Sequence, residues 1–381
     1  MKSIGQTRPR WRRLGLALGG LAALLILAEL LVRVSWRDGA PAGKPPPSPA
    51  DAAASHALEG DLPVLSSVLE LGRRNVRGIH KGLPFRTNNA GFRGPEVAKR
   101  PEPGVFRIVV AGDSVTMGSG VWEKQAYPAL LEARLNERAE GIRYEVLNLG
   151  LSGINAKRVA RRIETIGLPH HPHLIVYGYT MNDIDSPASI STVSKETTRA
   201  RRERLKLFAN SPFHFLRAGW PLAARLVEIL FKPEGTQEHD LYSNYFENPE
   251  AWGILEHELD RMAGFAEAAG VCVHVLVHTG NDQLRRLFAH RRINRRIEQA
   301  AQQRGFSVTQ SYPYFRGRDP DALRLSPFDQ HPNAAAHKLL ASALYDGLQT
   351  LPERCWAAGP TRPVPAGRRP SAALPDEAAL P

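Results

Sequence analysis

Cysteine is nearly missing from this chain: Cys272 and Cys355 are the two in 381 residues, and they form no metal-ligand spacing. That excludes a thiolate-held zinc module and a small disulfide-stapled scaffold. The two are read as unpaired thiols, the first inside a strand, with a disulfide as the alternative in an oxidising compartment. Clustered ligands of other kinds are lacking too. His170, His171 and His173 precede a strand, His274 and His278 lie in or beside one, and no carboxylates stand at ligand spacing around them. Neither a metal nor another cofactor is expected. Acidic residues are in deficit, 38 against 50 Lys plus Arg, for a net charge of +12. The excess is bunched rather than woven into a recognisable nucleic-acid motif. One bunch is Lys2, Arg8, Arg10, Arg12 and Arg13, and the other is Arg199, Arg201, Arg202, Arg204 and Lys206. No nucleic-acid partner is expected.

A long apolar run is present once. "LGLALGGLAALLILAELLV" follows "RPRWRR" and carries a single charge, Glu29. About 20 apolar residues cross a bilayer, whereas a cleaved signal has a shorter core followed by small residues. Here Arg33 and Trp36 follow, so residues 14–33 read as an uncleaved single-pass anchor, a transmembrane helix. The basic residues 1–13 stay in the cytoplasm, and the rest lies on the far side of the membrane. Residues 34–63, rich in Pro, Ala and Gly, read as a flexible tether, and 351–381 as a disordered tail of the same character.

Between tether and tail, short β-rich runs alternate with helical stretches. The runs are "VFRIVVAG" (105–112), "RYEVLNLG" (143–150), "HLIVYGYT" (173–180) and "VCVHVLVHTG" (271–280). Helices are predicted over 126–138, 156–166, 252–268 and 282–304. The alternation predicts a three-layer α/β/α domain over 64–350 with a mostly parallel sheet, and a ligand crevice beyond the strands' carboxyl ends. The pattern is broken by an insertion, 184–249, holding the second basic bunch and several aromatics. It is placed to form a lid or a substrate wall, or to be a helical decoration with its own small core.

The chemistry-bearing residues fall at the predicted crevice. Serine is a weak nucleophile that needs a base, and the base needs a group to fix its tautomer. "AGDSVTMGSG" puts Ser114 just after a strand; "NLGLSG" ends the next strand with Gly150 and Gly153; "YTMND" ends a third with Asn182, an uncharged donor suited to an oxyanion. "FDQHPNAAAH" supplies His331 just before a helix that Asn333 can cap, with Asp329 two residues earlier on the same side of an extended segment. Asp113 and Asp183 read as loop residues making local hydrogen bonds. Gly112 stands two before the serine, but Thr116 replaces the second glycine of a G-x-S-x-G elbow.

Taken together these blocks resemble the SGNH, or GDSL, hydrolases, whose markers are Ser, Gly, Asn and His in separate segments. The resemblance covers roughly 86–346, and "TNNAGFRGPE" (87–96) is similar to the lead-in of membrane-anchored bacterial members. It implies an SGNH-hydrolase or flavodoxin-like fold with Ser114 as nucleophile, His331 as base and Asp329 as its partner. It also implies an oxyanion hole of Ser114, Gly153 and Asn182, with Gly150 as second choice to Gly153. Two departures stand out: Thr180 occupies the place of a usual glycine, and Asp329 precedes the histidine by two positions where many members have three. The implied activity is that of a serine esterase on O-acyl, especially acetyl, esters of envelope or exported carbohydrate. An O-acyltransferase using the same site and a catalytically silent carbohydrate-binding protein are the alternatives.

Overall fold

The computed structural model describes residues 62–65, 67–139, 141–184, 244–280, 287–326 and 329–356. The expected basic N-terminus and anchor, nearly all of the tether and the insertion, and the tail past 356 lie outside the described residues. Among the described residues no helix is long and apolar enough to cross a membrane.

The chain enters the fold through a short helix, α1 (Val68–Leu71), and an antiparallel hairpin of β1 (Arg77–His80) and β2 (Leu83–Arg86). His80 pairs with Leu83, which leaves Lys81 and Gly82 as a two-residue loop with φ of 50° and 73°. Positive φ at both positions is the backbone of a type I′ turn, whose twist suits a hairpin.

Five parallel strands make the central sheet: β3 (Val105–Gly112), β4 (Arg143–Asn148), β5 (Leu174–Tyr179), β6 (Cys272–Val277) and β7 (Ser307–Gln310), in the order β4-β3-β5-β6-β7. This is the flavodoxin-like doubly wound order, in which the chain reverses direction across the sheet between its first and third strands, here β3 and β5. A parallel sheet covered on both faces needs apolar residues on both, and every residue of β3 and β5 is buried. Alternate residues feed two cores. Val109, Ala111, Ile175 and Tyr177 pack with α4 (Ala156–Arg162), α5 (Pro249–Ala269) and α6 (Leu287–Gln302). Phe106, Ile108, Val110 and Val176 pack with α3 (Tyr127–Asn136) and α8 (Ala334–Leu348). Three elements bring further segments to the crevice end: α2 (Ser114–Met117) and the antiparallel pair β8 (Arg324–Ser326) and β9 (Asp329–Pro332), with α7 (Tyr312–Phe315) on the way to them. The mostly parallel sheet with helices on both sides is the predicted architecture.

Two expectations are corrected. Cys272, at the start of β6, and Cys355, in the turn after α8, are joined in a disulfide across 83 residues of sequence. They are not the unpaired thiols expected. The last helix returns the chain to the sheet's amino-terminal edge, where Trp356 packs on Phe106 with ring centroids 5.1 Å apart, and the two cysteine Cα atoms meet at 5.4 Å. The tail also starts later than 351, because Leu351, Cys355 and Trp356 are buried in the core.

Candidate active site

Ser114 opens the single turn of α2 directly behind β3. Asp113 caps that turn, its Oδ1 accepting the Val115 N–H at 2.9 Å. His331 lies in β9, ahead of α8, and Asn333 fixes the junction. The Asn333 side chain accepts the N–H groups of Ala335 and Ala336, and donates to the carbonyls of Ala322 and Arg324. The result is contact between segments 217 residues apart: His331 Nε2 lies 2.9 Å from Ser114 Oγ. Asp329 Oδ1 takes both the backbone N–H of His331, at 3.1 Å, and sits 2.5 Å from its Nδ1. That fold-back from i to i+2 is an Asx-type turn, and it is how a spacing of two brings carboxylate and imidazole together.

Asp329 has a second donor that the sequence did not announce. The Lys81 ammonium, at the tip of the β1–β2 hairpin, lies 2.6 Å from Asp329 Oδ2 and 3.0 Å from His331 Nδ1. Partial burial works against ionisation of Asp329. The hydrogen bonds and charges of His331 and Lys81 outweigh it and hold the carboxyl well below the ordinary range. The neighbouring His80 is buried. Its Nδ1 faces the Leu65 carbonyl at 3.0 Å and its Nε2 faces Ser119 Oγ at 2.8 Å, and burial lowers its affinity for a proton.

Arg93 braces the Ser114 turn from below. Its guanidinium is fully buried and donates to the carbonyls of Met117 (2.7 Å), Gly118 (2.5 Å) and Val121 (2.7 Å), and desolvation pulls its pKa down to about 10. Gly150 closes the same turn from the β4 side. A Cβ there would stand 2.2 Å from the Met117 nitrogen, and the Gly150 N–H is already held by Asn148 Oδ1 at 3.0 Å. Gly153, the other glycine of that block, is exposed, with φ of 75°.

Asn182 is exposed at the carboxyl end of β5 and donates through Nδ2 to Asp113 Oδ2 at 3.2 Å. Behind it runs a buried chain. Thr180 Oγ1 lies 3.0 Å from Asp113 Oδ2 and 3.0 Å from Asp183 Oδ1, and the Tyr177 hydroxyl donates to Asp183 Oδ2 at 2.8 Å. Burial, reinforced by the Asp113 charge, raises the Asp183 pKa well above its ordinary value. Burial also raises Asp113, against the donors that favour its charge. His274, His278 and His337 are buried, and desolvation holds each neutral, down to about 3. Among the described residues no group of three His, Cys, Asp or Glu side chains is gathered to hold a metal ion.

The structure therefore brings Ser114, His331, Asp329 and Asn182 to one end of the sheet, and adds Lys81 and Arg93 from the segment before it. A hairpin signal was present in "RGIHKGLPFR", two short β-favouring runs about a Lys-Gly pair. That pair is outside the Asn-Gly and Asp-Gly signatures of such turns.

A family model for the GDSL-like lipase/acylhydrolase family matches residues 110–339, more than half of the chain. No curated protein matches it. Solved structures similar to it include TesA, at 18% identity over 64% of this chain and 97% of that one, with a TM-score of 0.41. A second is LAE5, an alpha/beta hydrolase enzyme from the metagenome of Lake Arreo, Spain, at 18% identity over 65% and 96%, with a TM-score of 0.40. A third is a catalytic mutant of an acetylxylan esterase from Geobacillus stearothermophilus, at 15% identity over 65% and 95%, also with a TM-score of 0.40.

Proposed function

Since the chain belongs to the GDSL-like lipase/acylhydrolase family, and so is a hydrolase acting on ester bonds, we propose that it works through a Ser114–His331–Asp329 triad. The observation that carries this reading is the unbroken hydrogen-bonded line from Ser114 Oγ through His331 to Asp329, at 2.9 and 2.5 Å. Ser114 Oγ attacks the ester carbonyl as its proton passes to His331 Nε2. The imidazolium is stabilised by Asp329, which keeps the other ring proton on Nδ1. The carbonyl electrons move to oxygen, and the oxyanion is held by the Ser114 and Gly153 N–H groups and by Asn182. An amide nitrogen carries two protons, so Asn182 can give one to Asp113 and offer the second to the oxyanion. Gly150 is the weaker donor for this role because its N–H is taken. Collapse of the intermediate expels the alcohol, which receives the proton from Nε2. Water, activated by the same base, then releases the acid and restores the serine.

The substrate in this reading is an O-acyl, chiefly O-acetyl, ester on carbohydrate outside the cytoplasm of a bacterium, with the chain held to the inner membrane by residues 14–33. Two features support that location: the apolar run itself and the Cys272–Cys355 disulfide, a bond that reducing cytosol does not maintain.

The test is labelling of the full-length chain by a fluorophosphonate, with Ser114→Ala and His331→Ala as controls, beside release of acetate from p-nitrophenyl acetate. Labelling and turnover that need both residues are expected. A folded wild type that neither labels nor turns over would overturn the triad. Labelling without turnover, relieved by a sugar acceptor, would mark an acyltransferase.

A further inference from the structure

Residues 77–86 lie before the part of the chain that the family model matches, yet their hairpin tip reaches the centre of the site. Resting on the triad reading above, we propose that Lys81 is a positioning residue of the reaction: it holds the outer oxygen of Asp329 and so keeps the His331 ring proton on Nδ1, leaving Nε2 as the acceptor that faces Ser114.

His331 Nδ1 has two polar neighbours, Asp329 Oδ1 at 2.5 Å and Lys81 Nζ at 3.0 Å. An ammonium has donors only. If Lys81 donated to Nδ1, that nitrogen would be the acceptor, the ring proton would sit on Nε2, and Ser114 could not pass its proton to the ring. If Nδ1 carries the proton it must give it to Asp329, and Lys81 must spend its own donor elsewhere. Asp329 Oδ2, at 2.6 Å from Nζ, is where it does so. The carboxylate thus separates the two donors, one on each oxygen, and only this arrangement leaves Nε2 free to accept.

Geometry says why the extra hold is needed. Asp329 precedes the histidine by two residues and folds back on it, with its side chain 29% exposed. Without Lys81 its outer oxygen would meet water and the carboxyl could swing about its Cα–Cβ bond. The turn is built for the reach: Lys81 takes φ of 50°, which a side chain other than glycine or asparagine seldom adopts, and this aims it at β9.

The test uses the full-length chain and p-nitrophenyl acetate. Lys81→Asn and Lys81→Gly both suit a positive φ and keep the turn while removing the ammonium. Each is expected to lower kcat roughly ten- to a hundred-fold with KM unchanged, the order of loss that follows a small misplacement of a reacting group. Lys81→Arg, which keeps a cation, is expected to stay within a few-fold of wild type. A purely structural role would not move the pH profile. Removing a cation beside the imidazole should move the acid limb of kcat/KM to higher pH, because a nearby positive charge disfavours a second one. Asp113, His80, His278 and His337 also lie within electrostatic reach of His331 and are unchanged in these variants. Wild-type kcat and an unmoved acid limb in either folded variant would overturn the proposal while leaving the triad standing. Loss of labelling in wild type itself would overturn the triad instead.

Discussion

Thr180 faces two carboxyls with one proton to give. Its Oγ1 is 3.0 Å from Asp113 Oδ2 and 3.0 Å from Asp183 Oδ1, so one of the two acids must itself be the donor in the second bond. Asp183 is that acid. It is fully buried, and desolvation together with the Asp113 charge raises its pKa. Asp113 is buried too but is raised less, with donors from the Val115 N–H, Asn182 and Thr180 on both its oxygens, whereas the Tyr177 O–H and the Thr180 N–H of Asp183 both fall on Oδ2 and leave Oδ1 to carry a proton. The proton order is then Asp183 O–H to Thr180, Thr180 O–H to Asp113, with the negative charge on Asp113. Asp183→Asn supplies an N–H where the acid had its O–H, and keeps an oxygen for Tyr177. The sign follows from linkage: a group whose folded pKa is raised contributes stability that is full below its unfolded value, about 3.9, and is lost as pH rises toward the folded one. The wild type should therefore lose stability relative to Asp183→Asn by about 1.4 kcal/mol for each pH unit across that interval. Urea unfolding of both proteins at steps from about pH 4 to 7 reads the gap directly. An infrared C=O stretch of a protonated carboxyl should vanish in Asp183→Asn and persist in Asp113→Asn. A stability gap flat across the whole series would refute the assignment.

Two further outcomes are expected. Cys272→Ser or Cys355→Ser, measured by thermal unfolding with and without reductant, should destabilise the domain by about 2–5 kcal/mol, because the disulfide closes a loop of 83 residues; reductant should then lower the midpoint of wild type but not of the variants. Arg93→Met leaves the carbonyls of Met117, Gly118 and Val121 without their buried donor, and a loss of about 3–5 kcal/mol in urea unfolding is expected, with slower fluorophosphonate labelling in the fraction that remains folded.

Much of the sheet is legible because four of its five strands state themselves in short β-favouring runs closed by a turn: the run 105–112 is β3 to the residue. The helix expected over 252–268 is found three residues longer at its start, because Asn248 and Pro249, read as the end of the insertion, open α5, and Gly270, at φ of 66°, closes it. β7 escapes notice because "SVTQ" is polar at three of its four positions and only partly buried at the sheet's edge. At the site, Ser114 and Asn182 are readable as candidates from residue type and place after a strand, and Asp329 and His331 from their pairing just ahead of a capped helix. Lys81 and Arg93 are not, since nothing in a sequence says which exposed-looking cation a distant carboxylate or a set of carbonyls will claim. The Cys272–Cys355 bond is hidden for the same reason. Thr180 could be seen as a departure, but the two carboxyls that make sense of it converge only in the folded chain.

On the proposed triad, the 217-residue gap between Ser114 and His331 also bears on when the protein becomes reactive during its biosynthesis. A ribosome releases the serine, its turn and most of the sheet well before the histidine exists, and chains fold from the amino terminus as they emerge. Until β9 docks, the hydroxyl is an ordinary alcohol. Reactivity is therefore deferred to the end of translation, and the covalent fastening of Cys355 to Cys272 awaits an oxidant after that. On that reading a chain truncated between residues 114 and 331 would carry the serine without the base that activates it.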